Sequence, residues 1–144
     1  MVDPRQPDKT DLAVLQMARR LMADFDPDGY RLEHRWRDEA NMWFTEIEPV
    51  RAGPVDISLY HGGDTLNVCF DSTWFEYFPF ELTDLPEIER LLTALCMGRF
   101  EQSGLGERTG ARIYTSDRTW RVGHMLWPIP WRWRRKTRFE PYPR

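Results

Sequence analysis

Histidines are the residues of this sequence best suited to metal binding or acid–base chemistry near neutral pH. The three of them, His34, His61 and His124, fall in phase with the apolar positions of predicted strands. A metal site would require them to converge with carboxylates, and their spacing does not demand this. We therefore predict no metal ligands, and we expect His61, beside Gly62 and Gly63, to be the most exposed of the three.

Motifs for nucleophilic catalysis or phosphate binding do not assemble either. The segment GLGERTG, 104–110, has three glycines but follows a predicted helix instead of a strand, so the context of a phosphate-binding loop is missing, and we predict a helix C-cap and a loop there. No serine lies in a nucleophile-elbow pattern, and neither Cys69 nor Cys96 has a histidine placed beside it. Two cysteines are also too few for a disulfide framework. We predict that the protein is not an enzyme and uses no cofactor.

Acidic side chains mixed with aromatic ones form the pattern with the clearest functional meaning. The segment TWFEYFPFE, 73–81, has five aromatic side chains in nine positions, and the alternation of a strand turns Trp74, Glu76 and Phe78 to one face. Acid beside exposed aromatic rings is typical of a surface that recognises a basic protein. A solvated acidic face without a partner is the alternative. The predicted partner-binding residues are Glu46, Glu48, Asp64, Asp71, Trp74 and Glu76.

The end of the sequence, WPIPWRWRRKTRFEPYPR, 127–144, mixes tryptophan with arginine. Residues 118–144 carry eight Lys or Arg against Glu140 alone, a charge of +7, whereas the other 117 residues hold 12 basic and 22 acidic side chains, a charge of −10. Such a tail could stack on bases and neutralise phosphates, but the acidic body would repel a nucleic-acid backbone. We predict instead that the tail packs on the body, its tryptophans on apolar surface and its arginines toward acidic residues. The tail residues in question are Trp127, Trp131, Trp133, Arg134 and Arg135.

The periodicity of the apolar residues predicts the elements that position these side chains. A first helix, capped by Asp8 or Thr10, has apolar residues at helical spacing, and a second, whose apolar stripe extends to Phe100, lies within FELTDLPEIERLLTALCMGRF, 80–100. The predicted strands are YRLEHRWR, MWFTEIE, VDISLY, TLNVCF, the aromatic segment, ARIYT and TWRVGHML. We predict an α+β fold with a single, mainly antiparallel sheet of five to seven strands and both helices packed on one face. Residues 1–126 would form one domain, and residues 127–144 its tail.

The location of the protein is predicted from what the sequence lacks. The start, MVDPRQPDKTD, is polar and has no apolar core of a signal peptide, and no apolar run is long enough to span a bilayer. We expect a cytoplasmic protein that does not contact a membrane.

Part of the sequence is similar to a known family. DISLYHGGDTLNVCFDSTWFEYFPFE followed by EIERLLTALCMGRFEQ, roughly residues 55–102, resembles the small immunity proteins encoded beside bacterial polymorphic toxins. The resemblance rests on a hairpin, an aromatic strand and a helix that ends in Gly-Arg, and it does not extend to the tail. It implies a protein that binds a cognate toxin and blocks its active site, with acidic strand residues facing a basic toxin surface.

Other classes of function remain open at this point. A secretion-type chaperone would hold an unfolded client segment along the exposed sheet or its edge. A nucleic-acid binder would act through the basic tail. An enzyme acting on a small ligand would need a pocket between helix and sheet lined by His34 or His61.

Overall fold

The structure, a computed structural model, describes residues 3, 5–105, 108–123 and 131–144. Two α-helices, α1 (Lys9–Met22) and α2 (Leu85–Cys96), are combined with β-strands. The strands are β1 (Tyr30–Arg37), β2 (Met42–Pro49), β3 (Ile57–Gly62), β4 (Thr65–Phe70), β5 (Thr73–Tyr77), β6 (Phe100–Leu105), β7 (Arg108–Tyr114), β8 (Thr119–Gly123) and β9 (Thr137–Arg138). Neither helix in these ranges combines the length and the apolar character needed to cross a membrane.

The start of α1 is determined by a reciprocal capping box. Asp8 is the N-cap, and its Oδ1 accepts a hydrogen bond from the Asp11 N–H (2.8 Å), while Asp11 Oδ2 accepts one from the Asp8 N–H (2.8 Å). The apolar stripe that follows is fully buried at Val14, Met17 and Ala18. The cap therefore places Asp11 in the first turn, on the side of the helix that faces the protein interior.

The first five strands form an antiparallel sheet in the order β1-β2-β3-β4-β5. Each strand pairs with the next one along the chain, as short connections favour. On β3, Ile57, Leu59 and His61 are buried, and Ser58 and Tyr60 are half-buried on the other face, which we call the outer face. The buried face joins residues of both helices in one apolar core. The prediction of an α+β fold with two helices and antiparallel strands is confirmed.

The prediction of a single sheet is wrong, because the later strands form a second sheet in the order β8-β7-β6-β9. β6 follows α2 instead of a tight turn from β5, and it pairs with β7 on one side and with β9 on the other. The two sheets share the core: the rings of Phe70 and Phe100 meet edge to face at 5.5 Å, and Thr73 Oγ1 donates to Gln102 Oε1 at 2.6 Å.

Two local predictions in this region are also corrected. The second helix was expected to extend to Phe100, but α2 ends at Cys96 and Phe100 begins β6. The glycine-rich segment 104–110 was expected to be a loop, but its described residues belong to β6 and β7. Phe100 is 1% exposed. A buried position is apolar on a helix and on a strand alike, so the apolar character of Phe100 could not distinguish the two.

The last residues of the chain lie against the body. β9 pairs with β6, and the Tyr142 N–H donates to the Cys96 carbonyl oxygen at 2.8 Å. The Tyr142 side chain is 2% exposed, and its hydroxyl donates to the Val55 carbonyl oxygen at 2.5 Å. Residues 137–144 thus contribute a large side chain to the core.

Gly98, just after α2, makes room for this returning segment. Its φ of +69° lies in the left-handed region, which favours glycine at a helix end. A Cβ at this position would lie 2.7 Å from the Phe139 carbonyl oxygen, too close for any other residue. The same glycine therefore ends the helix and admits the backbone of the terminal segment.

Candidate functional site

The aromatic strand β5 divides its side chains between two environments. Phe75 and Tyr77 are half-buried against the core, where Tyr77 Oη donates to Glu87 Oε2 at 3.2 Å. Trp74, on β5, and Phe78, just after its end, are 50% and 69% exposed. Glu76, between them, is exposed as well. The second face of this segment therefore leaves large apolar rings in solvent.

Two further predicted residues lie at the ends of this strand. Asp71 is in the turn before β5, where its φ is 50° and its Oδ2 accepts a hydrogen bond from Gln102 Nε2 at 2.5 Å. Asp64 is in the turn between β3 and β4, and its carbonyl oxygen accepts from the Phe80 N–H at 2.7 Å, which places this turn beside the end of β5. Both aspartates are exposed.

We name the surface formed by these residues the β5 strip. It consists of Asp64, Asp71, Trp74, Glu76 and Phe78. Along the strand, acidic and aromatic side chains alternate, and an exposed aspartate lies at each end. The arrangement can bury aromatic rings in a partner with the Glu76 carboxylate between them, whereas the Asp71 carboxylate is already bonded to Gln102.

The remaining two predicted residues, Glu46 and Glu48, are on β2 and not in the β5 strip. Their strand is three strand spacings from β5, about 14 Å away. Glu48 is exposed, but Glu46 is only 7% exposed, and its Oε1 lies 3.3 Å from Arg35 Nη2 and 2.5 Å from Arg37 Nη2. Two arginines of β1 thus already pair with Glu46, and its role in partner binding stays a prediction.

Arginine also covers the apolar side chains of this part of the outer face. Phe44 and Tyr60 stack at 5.1 Å, and the Arg37 guanidinium lies 4.6 Å from the centre of the Phe44 ring. Both rings are half-buried. The β2 side of the outer face therefore offers less free aromatic surface than β5.

The predicted tail residues are in varied environments. Trp131 is half-buried, with the guanidinium groups of Arg112 and Arg134 at 4.8 and 5.8 Å from its ring centre. Trp133 is 69% exposed, and Arg135 is exposed. Trp127, like His124, lies outside the described residues.

A buried histidine–aspartate pair is the main feature that sequence reasoning missed. His61, expected to be the most exposed histidine, is 2% exposed, and its Nδ1 lies 2.6 Å from Asp11 Oδ1. Burial lowers the pKa of His61 to about 4, with a smaller contribution from His34, and burial raises the pKa of Asp11 to about 6. At neutral pH the imidazole is therefore neutral, and its Nδ1–H donates to an ionised Asp11.

A second histidine lies next to this pair. His34 stacks on Trp43 at 4.6 Å, and its ring centre is 6.2 Å from that of His61. His34 Nδ1 is 2.9 Å from the buried Thr45 hydroxyl. Burial, more than the charge of Arg19, lowers the pKa of His34 as well. The two imidazoles thus lie side by side, and burial disfavours the charged form of both.

Comparison with known proteins adds no further information about these sites. No protein-family model matches the chain, and neither does any curated protein or solved structure. Within the described ranges, no three His, Cys, Asp or Glu side chains come together in a group that could hold a metal ion. The interpretation of the surface therefore depends on its geometry and charge.

Proposed function

We propose that this chain is a non-enzymatic module that binds a partner protein through the β5 strip. The observation that carries the proposal is the exposure of Trp74 and Phe78 on either side of the exposed Glu76. Aromatic side chains bury roughly 150–250 Å² each and dominate the energetics of interfaces. A partner that covered both rings would gain most of its binding free energy from this one strand.

The charges around these rings support a basic partner. Glu76, Asp64 and Asp71 are exposed, and the first 117 residues carry a charge of −10. Complementary charge accelerates association and excludes acidic competitors. The complementary surface would hence contain an apolar pocket surrounded by Lys and Arg.

The resemblance to immunity proteins supports a toxin as that partner. In this form of the proposal, the β5 strip covers a basic active site and the toxin is inactive while it is bound. The chaperone alternative requires a broad face or a free edge for an unfolded segment. The arginines that cover Glu46 and Phe44 favour a discrete contact at β5 over such a face.

Capture of a partner from the native host, followed by mass spectrometry, tests the proposal. The bait proteins are the wild type, a Trp74→Ala/Phe78→Ala double variant, and a Leu12→Ala/Val50→Ala control that removes two exposed apolar side chains elsewhere. We expect a protein of basic surface that the wild type and the control retain and the double variant loses. A partner retained equally by all three baits would contradict the proposal.

A second candidate function, nucleic-acid binding by the tail, is favoured by one observation. Trp133 is 69% exposed, with the Arg132 guanidinium 5.0 Å from its ring centre and Arg135 exposed nearby in the chain. Deleting the tail is a poor test because Tyr142 is part of the core. A Trp133→Ala/Arg135→Ala variant leaves that side chain in place. Salt-sensitive binding of single-stranded DNA that this variant loses and Trp74→Ala/Phe78→Ala retains would favour the tail.

A further inference from the structure

A cavity of about 380 Å³ opens where the start of α1 meets the turns after β1 and β3. This volume is within the range of small-molecule sites. The buried pair of Asp11 and His61 lies in its wall, together with Asp8, Trp36 and Trp43. The cavity thus combines charged, polar and aromatic groups that the β5 strip does not use.

Two lining side chains have buried nitrogen atoms without a hydrogen-bond partner in the described part of the protein. They are His61 Nε2 and Trp43 Nε1. Because His61 Nδ1–H donates to Asp11, Nε2 carries a lone pair and can only accept. Trp43 Nε1–H can only donate. A ligand that satisfied both would contribute one donor and one acceptor, and the two hydrogen bonds would offset the cost of burying these nitrogen atoms.

The charge of the cavity wall selects the kind of donor. Of the described residues that line it, Asp3, Asp8 and Asp11 are acidic and none is Lys or Arg. The hydrogen bond from the Asp11 backbone lowers the pKa of Asp8, so that this carboxylate is ionised at neutral pH. A cationic donor is favoured in such a place, and an anion is repelled.

The aromatic walls suit the same cation. The rings of Trp36 and Trp43 meet edge to face at 5.9 Å and 67°. Tryptophan is the best of the aromatic side chains at attracting an organic cation to its ring face. Carboxylates, an imidazole acceptor and indole walls together are complementary to an ammonium group on a small organic molecule.

We propose that this cavity binds a small protonated organic amine that also carries a hydroxyl or carbonyl oxygen. The ammonium N–H donates to His61 Nε2, the oxygen accepts from Trp43 Nε1–H, and the positive charge lies among the aspartates. This site is separate from the proposed function, because Trp74, Glu76 and Phe78 do not line it.

Three probes of nearly equal size and different charge test the proposal on the wild-type protein. They are 2-amino-1-phenylethanol, a cation; 1-phenylethane-1,2-diol, its neutral counterpart; and mandelate, an anion. Binding is measured from the indole N–H resonances in ¹H–¹⁵N spectra, with the Trp43 resonance assigned by Trp43→Phe. We expect the amine to shift that resonance saturably and to bind roughly tenfold or more tightly than the diol. We expect no saturable shift with mandelate.

Variants then locate the site. Asp8→Asn retains a good helix cap while removing a charge, and Asp117→Asn is its matched control on an exposed turn. We expect Asp8→Asn to weaken amine binding roughly threefold to tenfold and Asp117→Asn to leave it unchanged. His61→Gln is expected to weaken it roughly tenfold or more by removing the acceptor.

The outcomes separate clearly. Equal binding of the amine, the diol and mandelate would overturn the proposal, as would saturable amine binding that leaves the Trp43 resonance in place. Absence of any saturable shift up to millimolar amine would overturn it too. The probe series uses the unaltered protein, so these results stand even if His61→Gln fails to fold. Loss of partner capture by Trp74→Ala/Phe78→Ala has no bearing on them.

Discussion

The outer face of the five-stranded sheet has two halves of similar composition and different availability. On β2, Glu46 and Phe44 are covered by Arg35 and Arg37, which come from the neighbouring strand β1. On β5, Trp74 is 50% exposed and Glu76 is exposed as well. Both halves pair a glutamate with an aromatic ring, so residue type alone does not separate a contact surface from a closed one.

The difference shows what determines whether a side chain on a strand is free to bind. On β2, arginines of the neighbouring strand cover both the glutamate and the aromatic ring, because an arginine side chain can lie along a ring and reach a carboxylate at the same time. β5 is at the other edge of the sheet, and its neighbours on β4 at the same positions are the smaller Cys69 and Asn67. The short Cys69 side chain beside Trp74 leaves that ring half exposed.

The largest expected effect concerns binding through the two rings. Trp74→Ala/Phe78→Ala should weaken the partner complex by about 3 kcal/mol, roughly two orders of magnitude, because aromatic anchors at the centre of an interface carry most of its free energy. Phe44→Ala, on the covered half, should leave the affinity within a factor of about three. Surface plasmon resonance with the captured partner measures both. Similar losses for the two variants would mean that the halves do not differ in function.

A second prediction concerns the buried pair of Asp11 and His61. In the wild type, burial raises the pKa of Asp11 to about 6 and lowers that of His61 to about 4, so between these values folding moves one proton from histidine to aspartate without net uptake. Stability should therefore change little with pH through this pair. Variants that remove one partner at a time should show opposite slopes of the free energy of unfolding against pH.

In Asp11→Asn only His61 of the pair remains, and the stability it contributes is present above its unfolded pKa of 6.5 and lost as the pH falls toward about 4. In His61→Gln only Asp11 of the pair remains, and its contribution is present below 3.8 and lost as the pH rises to about 6. Relative to the wild type, the free energy of unfolding of each variant should change by about 2 kcal/mol across this window in urea unfolding. The comparison with the wild type removes the contribution of His34, whose pKa burial also lowers. Slopes of the same sign in both variants would contradict the pairing.

A smaller effect on stability should distinguish the two glutamates of the outer face. Glu46→Ala leaves Arg35 and Arg37 without their shared partner and should reduce the free energy of unfolding by about 1–2 kcal/mol, less than for a fully buried pair because both arginines are partly exposed. Glu76→Ala should change it by less than about 0.5 kcal/mol. Chemical denaturation gives both values, and equal values would show that the arginines do not secure Glu46.

The smallest effect is kinetic. Glu76→Lys should slow association with a basic partner by a factor of about three at low salt, and the difference should vanish at high salt, since the charge acts by steering. Stopped-flow mixing at two salt concentrations measures it. Glu33→Lys, an exposed position on β1, is the control, and an equal slowing there would indicate net charge as the cause instead of the β5 strip.

Much of the fold could be predicted from local patterns. The alternation in β1 and the capping residue Asp8 identify their elements because both signals come from neighbours along the chain. The second sheet could not be predicted in this way. β6 pairs with β9, some 35 residues further along, and no local pattern records which strand lies beside it.

The candidate site shows the same limit. Strand alternation correctly turns Trp74, Glu76 and Phe78 to one side, but it also places Glu46 on that face and cannot foresee the arginines that close it. Asp11 and His61 are 50 positions apart in the sequence. Taken locally, Asp11 is an ordinary acidic residue in the first turn of a helix, and His61 is an ordinary residue at an apolar position of a strand. Only the packing of α1 on the sheet brings them into contact.

Gly98 offers experimental control over the end of the chain. Its missing side chain is the space into which the Phe139 carbonyl fits, so a methyl group there would push residues 139–141 outward without shortening the polypeptide. The fit of the terminal segment on the body thus depends on one position just past α2. An alanine there would measure how firmly the buried Tyr142 anchors the end of the chain while every residue of that segment stays present.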